Sequence, residues 1–243
     1  AEPAVLIDLG KISTLSYINE QDGGLAIGAM TTYSEIAGSE LVQSNAPVLA
    51  DASGQVADNQ IRNRGTIGGS LSHSDPAGDL PAVALALGAQ LTTSSSGAHR
   101  TISADDFFVD LLTTALEPNE ILSEIVIPAL PAGTGTAYAK FANKASHYAV
   151  VGVAAVVTVG SDGTCQSARI GITGAGPKAT RATGTESALV GLNLDDSAVR
   201  AAASHAGDGI DFNEDVHASG EYRAHLISVY AARAIRAAVE NAS

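Results

Sequence analysis

The chain has no tryptophan, one cysteine and one methionine, and aromatic residues fill only 4% of its 243 positions. A single cysteine, Cys165, excludes an internal disulfide and a cysteine-ligated iron–sulfur cluster within this chain. Its neighbours predict a strand position, where a small buried residue is a simpler reading than a nucleophile. Lysine is scarce, limited to Lys11, Lys140, Lys144 and Lys178. With 13 basic against 26 acidic side chains, the formal net charge is −13. Such a surface repels phosphate backbones, which argues against a nucleic-acid partner. The longest apolar run, Ala149 to Val159, is broken by Gly152. It falls short of the roughly 20 residues a membrane span needs. The six histidines, His73, His99, His147, His205, His217 and His225, show no metal-ligand spacing, so no metal is assigned. There is no GxSxG, no Walker A motif and no GxGxxG opening a helix after a strand. Ser72, His73 and Asp75 are neighbours in sequence, but triads are made by geometry, and no catalytic residue is assigned.

What remains is a globular composition, 45% hydrophobic and rich in alanine and glycine. The length suits one large domain or two ordinary ones. Short strands open the chain: an apolar run at Val5-Leu6-Ile7, then Thr14 to Ile18 and Leu25 to Met30, the last two joined by an Asp22-Gly23-Gly24 turn. Thr32-Tyr33-Ser34-Glu35 fits a capping box that starts a helix running through Leu41 and Val42. Pro47 sits at a first helical position, predicting a second helix over 46–57. Asp79-Leu80-Pro81 starts another, with Leu80, Val83, Ala84 and Leu87 on one face and Gly88 as its stop. Gln90 to Thr93 and Glu120 to Pro128 read as strands, with a short helical or looped piece at Ala104 to Phe108 between them.

Pro128-Ala129-Leu130-Pro131-Ala132-Gly133 is the best linker in the chain. Beyond it come strand-like runs at Thr136 to Ala142, Ala149 to Val159 and Ala168 to Ile172, with Asp162-Gly163 as a hairpin signal. Helical patterns follow at Thr183 to Val190, Ser197 to Ala206 and Tyr222 to Glu240, the last with Leu226, Val229, Tyr230 and Ala234 as its buried stripe. Strands followed by helices predict an α+β fold: an antiparallel three-stranded sheet covered on one face. The expected domains are 1–127 and 134–243, joined by residues 128–133.

One segment stands out chemically: Gln60-Ile61-Arg62-Asn63-Arg64-Gly65-Thr66-Ile67-Gly68-Gly69-Ser70, with Asp79 downstream. Three glycines and two hydroxyl residues around a tight turn let backbone N–H groups approach an anionic ligand. Thr66 can donate its hydroxyl, and the Ile67 to Ser70 backbone can donate N–H groups. The plain alternative is a turn between strands. Asp79 can accept from a sugar or ribityl hydroxyl, or simply cap a helix. Arg62 can pair with phosphate or with a surface carboxylate. Lys140 can serve a ligand or face solvent.

Taken in order, these segments resemble one family along nearly the whole chain: the medium, FAD-binding subunit of molybdenum hydroxylases of the carbon-monoxide-dehydrogenase and xanthine-dehydrogenase type. Leu6-Ile7-Asp8-Leu9 and Leu25-Ala26-Ile27-Gly28-Ala29 match its opening strands. Gln60-Ile61-Arg62-Asn63 running into Gly65-Thr66-Ile67-Gly68-Gly69 is its most specific motif, and Asp75-Pro76-Ala77-Gly78-Asp79 follows. Asn119-Glu120-Ile121-Leu122, Tyr138-Ala139-Lys140-Phe141, Gly171 to Pro177, Thr180-Arg181-Ala182 and Glu221 to Leu226 continue the match.

The resemblance implies a partial two-subdomain FAD-binding domain of the vanillyl-alcohol-oxidase-like type, followed by a small domain of three antiparallel strands and helices. It implies FAD in this subunit, with a molybdenum cofactor in a large partner and iron–sulfur clusters in a small one, assembled as a dimer of heterotrimers in the cytoplasm. Electrons would pass from the clusters through FAD to an external acceptor. By position, Thr66, Ile67, Gly68, Gly69 and Ser70 would cradle the cofactor's phosphates and ribityl chain, Asp79 would hydrogen-bond to it, Leu122 would line the ring pocket, and Lys140 would lie near the ring. Ser70 stands where the family often has asparagine. The family also carries an N-terminal subdomain with an Ala-Gly-Gly-x-Ser loop that this sequence does not contain. The expectation is therefore a truncated chain with weak FAD binding alone; the alternative is a degenerate scaffold subunit without flavin. A stand-alone flavin oxidase would need a larger substrate domain.

Overall fold

The structure, a computed structural model, describes residues 4–242. Strands β1 (Ile18–Gln21) and β2 (Gly24–Gly28) form the expected hairpin. Its two-residue turn, Asp22-Gly23, has both residues in the left-handed region, which matches the twist of paired strands. Residues 5–9 are not a strand: Val5, Leu6 and Ile7 lie in exposed coil. The next stretch departs too, since Ser13–Leu15 is a 3₁₀ turn that lies against β2 instead of extending toward it.

Thr32 makes the full capping box with Glu35 at the start of α1 (Tyr33–Gly38). The single helix expected through Val42 is broken at Ser39, whose side chain caps a separate α2 (Glu40–Asn45). Serine favours such a site because its oxygen competes for backbone N–H groups. Then follow α3 (Pro47–Gly54), opened by its proline, α4 (Asn59–Arg62), α5 (Ile67–His73) and α6 (Asp79–Leu87). Gly88 ends α6 in the left-handed conformation, as its position predicts.

Strands β3 (Gln90–Ser95) and β4 (Ala98–Ser103), short α7 (Ala104–Phe107), the small pair β5 (Phe108–Asp110) and β6 (Thr113–Thr114), and β7 (Ile121–Ile127) complete this half. The first sheet is antiparallel throughout, in the order β1-β2-β7-β3-β4.

Three long strands, β8 (Thr134–Ala142), β9 (Ala149–Val159) and β10 (Cys165–Thr173), form the second antiparallel sheet. A two-residue strand, β11 (Thr180–Arg181), extends it beside β10. Cys165 is buried at the start of β10. Helices α8 (Thr183–Leu189), α9 (Asp196–Ala203) and α10 (Gly220–Glu240) contribute the core on one side. Tyr138, Ala154, Val156 and Ala179 instead join the core of the first half. The sheet is thus covered on both faces, which explains why β9 reads as a continuous apolar run with nine consecutive buried residues. On α10 the buried side is Leu226, Ile227, Ala231, Ala234, Ile235 and Ala238, while Val229 and Tyr230 sit half-buried at its margin. Among the described residues, no helix is long and apolar enough to cross a membrane.

Candidate functional site

The glycine-rich segment is not a turn between strands. It is the first turn of α5, capped by Thr66, whose Oγ1 accepts from the Gly69 N–H at 3.1 Å. Glycines are poor helix formers, so tertiary packing holds this one. Tyr33 N–H donates to the Gly65 carbonyl at 3.0 Å and Ile67 N–H to the Thr31 carbonyl at 3.0 Å. Gly68 N–H donates to the Ala29 carbonyl at 2.8 Å. A Cβ at Gly68 would lie 2.5 Å from the Ala29 Cβ, so only glycine allows this approach. Gly69 faces the other way: an added Cβ would meet only the Thr66 hydroxyl, at 3.0 Å.

Beyond Gly69 opens a cleft of about 730 Å³. One wall is Gly65, Thr66, Gly69 and Ser70, with the flanking Arg64. Met30, Val56 and Ile61 supply apolar surface, Gly78 and Asp79 bring the start of α6, and His147 and Tyr148 come from the connection between β8 and β9. Tyr33 also lines the cleft, and burial pushes its phenol pKa up while neighbouring Ser70 pulls it down. Tyr148 is about half exposed, and the residue before it, His147, has a φ of 60°, a conformation few side chains adopt.

Asp79 is the most constrained group in the cleft. It occupies the first helical position of α6, and its side chain is not the cap. Instead Tyr138 Oη donates to its Oδ1 at 2.5 Å and Lys140 Nζ to its Oδ2 at 2.9 Å. Lys140 also donates to the Gln55 carbonyl at 3.2 Å. Side-chain exposure is 3% for Lys140 and 5% for Asp79, so the charges are compensated inside the protein rather than by water. Burial raises the Asp79 pKa above the usual carboxylate value, and Lys140 and then Tyr138 work against that rise. The buried Tyr138 phenol is pushed well up, first by desolvation and then by the Asp79 charge.

Two family profiles cover the chain: "FAD binding domain in molybdopterin dehydrogenase" matches residues 1–130, and "CO dehydrogenase flavoprotein C-terminal domain" matches residues 136–238. The chain belongs to this flavoprotein family. Among its relatives is the 6-hydroxypseudooxynicotine dehydrogenase complex subunit alpha of Paenarthrobacter nicotinovorans, 36% identical over 100% of this chain and 82% of that protein. The carbon monoxide dehydrogenase medium chain of Hydrogenophaga pseudoflava is 38% identical over 98% of this chain and 83% of that one. The solved carbon monoxide dehydrogenase from the same organism superposes with a TM-score of 0.96 at 39% identity, covering 100% of this chain and 84% of its own. Quinoline 2-oxidoreductase from Pseudomonas putida 86 gives a TM-score of 0.92 at 33% identity, covering 99% and 84%. As a member of this family the chain is an oxidoreductase component, and the family's cofactor is FAD.

The cleft residues of this flavoprotein suit that cofactor. The volume lies within the usual range for a cofactor site, and apolar and aromatic surface adjoins a few convergent polar groups. The open face of Gly69 leaves room where any side chain would intrude. Of the residues expected from sequence, Thr66, Gly69, Ser70 and Asp79 line the cleft. Ile67 and Gly68 are buried behind its wall, Leu122 packs into the core from β7, and Lys140 stands behind Asp79. The Arg62 guanidinium is turned away, onto the Val56 carbonyl at 2.7 Å, the Ala57 carbonyl at 2.9 Å and Asn59 Oδ1 at 2.6 Å.

One correction concerns the backbone. The N–H groups of residues 67–70, expected to be free for an anion, already have acceptors: the Thr31 and Ala29 carbonyls, Thr66 Oγ1, and the Thr66 carbonyl for Ser70. Sequence reasoning passed over Tyr33, Arg64 and Tyr148. Arg64 sits inside the motif that was singled out, whereas no spacing in the sequence could place Tyr148 at a cleft whose other walls come from residues 30–79.

Proposed function

We propose that this chain is the FAD-holding electron-transfer subunit of a molybdenum hydroxylase, standing between iron–sulfur clusters in a small partner and an external acceptor. The molybdenum cofactor belongs to a large partner in this reading, and the assembly is a dimer of heterotrimers in the cytoplasm. Residues 1–127 would form the flavin-binding domain, 128–133 the linker and 134–243 the C-terminal domain. The observation that carries the reading is the cleft wall itself: hydroxyls of Thr66 and Ser70, the bare face of Gly69, and a fixed carboxylate at Asp79.

When bound, FAD supplies reversible uptake of one or two electrons. The chain's residues hold and shield it. Thr66 and Ser70 would donate hydroxyl hydrogen bonds, and Asp79, held by Tyr138 and Lys140, would accept from a ribityl hydroxyl. Tyr148 would cover the ring system with an aromatic face. Ile67, Gly68, Leu122 and Lys140 would act from behind, by fixing the groups that reach the cleft, and Arg62 by shaping the loop at Val56 and Ala57.

Titration of the protein with FAD, followed by quenching of flavin fluorescence, tests this reading. Saturable binding that falls about tenfold or more in Gly69→Ala, with the thermal unfolding of the variant measured beside it, is the expected result, since one added methyl enters the cofactor's space and within the protein crowds only the Thr66 hydroxyl, at 3.0 Å. Absence of FAD from both the chain and its assembled complex would leave a scaffold subunit in its place.

A further inference from the structure

We infer that Arg64 is the cation that recognises the diphosphate of the dinucleotide cofactor, an inference that rests on the flavin reading above. The chain carries twice as many acidic as basic side chains, 26 against 13, so a dianionic group meets an unfavourable field over most of the surface. The site must supply local positive charge or donors. Helix α5 does not supply them from its backbone, because its first four N–H groups are all engaged within the protein. It also has only seven residues, too short for a substantial dipole.

Arg64 is the one lysine or arginine that lines the cleft among the described residues. Its guanidinium makes no hydrogen bond or ion pair with any described residue, whereas Arg62, two positions earlier, is held by three acceptors. Lys140, the other cation nearby, is neutralised by Asp79 and sealed behind it. Arg64 is exposed beside Thr66 and Ser70, whose hydroxyls complete a donor set on one wall. A guanidinium presents a planar fork that matches phosphate oxygens two at a time and keeps its charge at every accessible pH.

The test compares the wild-type protein, Arg64→Gln, Arg64→Lys and Lys11→Gln in titrations with FAD, riboflavin and inorganic pyrophosphate. Lys11 is an exposed cation that does not line the cleft and has no side-chain partner among the described residues, and it controls for net charge. The expected result is about a tenfold or greater loss of FAD affinity in Arg64→Gln, with a partial loss in Arg64→Lys. Riboflavin, which lacks phosphate, should bind all four proteins alike, and pyrophosphate should compete with FAD in the wild type but not in Arg64→Gln. The salt dependence of FAD binding should also flatten in Arg64→Gln. FAD binding within twofold of wild type in Arg64→Gln, or an equal loss in Lys11→Gln, overturns the role of Arg64 and leaves the flavin reading intact. Pyrophosphate binding that requires Arg64, without any FAD binding, does the reverse. Binding of neither ligand by the wild type, both alone and in its assembled complex, removes both.

Discussion

Two polar clusters join the halves of the molecule, and they are built on different principles. At the cleft, Asp79 of α6 meets Tyr138 and Lys140 of β8, all nearly closed to solvent. On the far side of α6, Arg169 of β10 donates to the Leu85 carbonyl at 2.8 Å and to Asp105 of α7 at 3.1 Å. Arg181 of β11 adds a contact to Asp105 at 3.2 Å and a paired contact to Glu186. Asp105 is 40% exposed there, against 5% for Asp79. Asp105 can exchange its partners for water, so the Coulomb energy of its two contacts is largely screened. The inner cluster cannot, so removing either Asp79 or Lys140 leaves the other charge without compensation. A latch serves at the surface; a group that must keep one position and one charge state beside a ligand requires the buried arrangement.

The sharpest way to break this contrast is to remove one charge from each cluster. Lys140→Met should destabilise the protein by about 3–5 kcal/mol in denaturant unfolding, because Asp79 stays buried without its cation. The double change Asp79→Leu with Lys140→Met should recover much of that loss, and a double-mutant cycle measures the coupling. Asp105→Ala should cost about 1 kcal/mol or less, and less again in high salt. If the two single substitutions cost the same, burial is not what separates the clusters.

A smaller effect sharpens the comparison through pH. Burial raises the Asp79 pKa above 3.8 in the folded protein, so the folded state binds this proton more tightly than the unfolded chain does. Its contribution to stability is greatest below the unfolded value and declines as pH rises through the folded value. The unfolding free energy of wild type relative to Asp79→Asn should therefore fall as pH rises from about 3 to 7. A rising difference would mean that Lys140 outweighs desolvation.

Much of the fold was legible because local signals and tertiary demands agree. The capping box at Thr32, the Pro47 start, the Gly88 stop and the Asp22-Gly23 turn each concern residues within one turn of one another. The elements that departed from expectation lack that agreement. Val5 to Ile7 has strand composition but no described strand beside it, and a strand needs a partner for its backbone groups. The Gly68-Gly69 pair resembles a turn by composition; it is helical because the backbone after β2 accepts the Ile67 and Gly68 N–H groups while Thr66 Oγ1 accepts that of Gly69. Two of the cleft's features have the same origin. Arg62 and Arg64 are indistinguishable by type, and only the path of the chain after α4 turns one inward onto carbonyls and leaves the other on the cleft.

The sequence by itself determined the class of molecule: an acidic flavoprotein chain with helices and hairpins placed by caps, prolines and turns, and a glycine-rich motif at the heart of its site. Those are short-range properties, set by backbone sterics and by hydrogen bonds between near neighbours. Only the tertiary structure decided which N–H groups are engaged, which arginine faces the cleft, and that Asp79 meets Tyr138 and Lys140 some sixty positions away. Those depend on how α6 packs against the second sheet, where burial and distance, rather than residue type, set the energy of each charge.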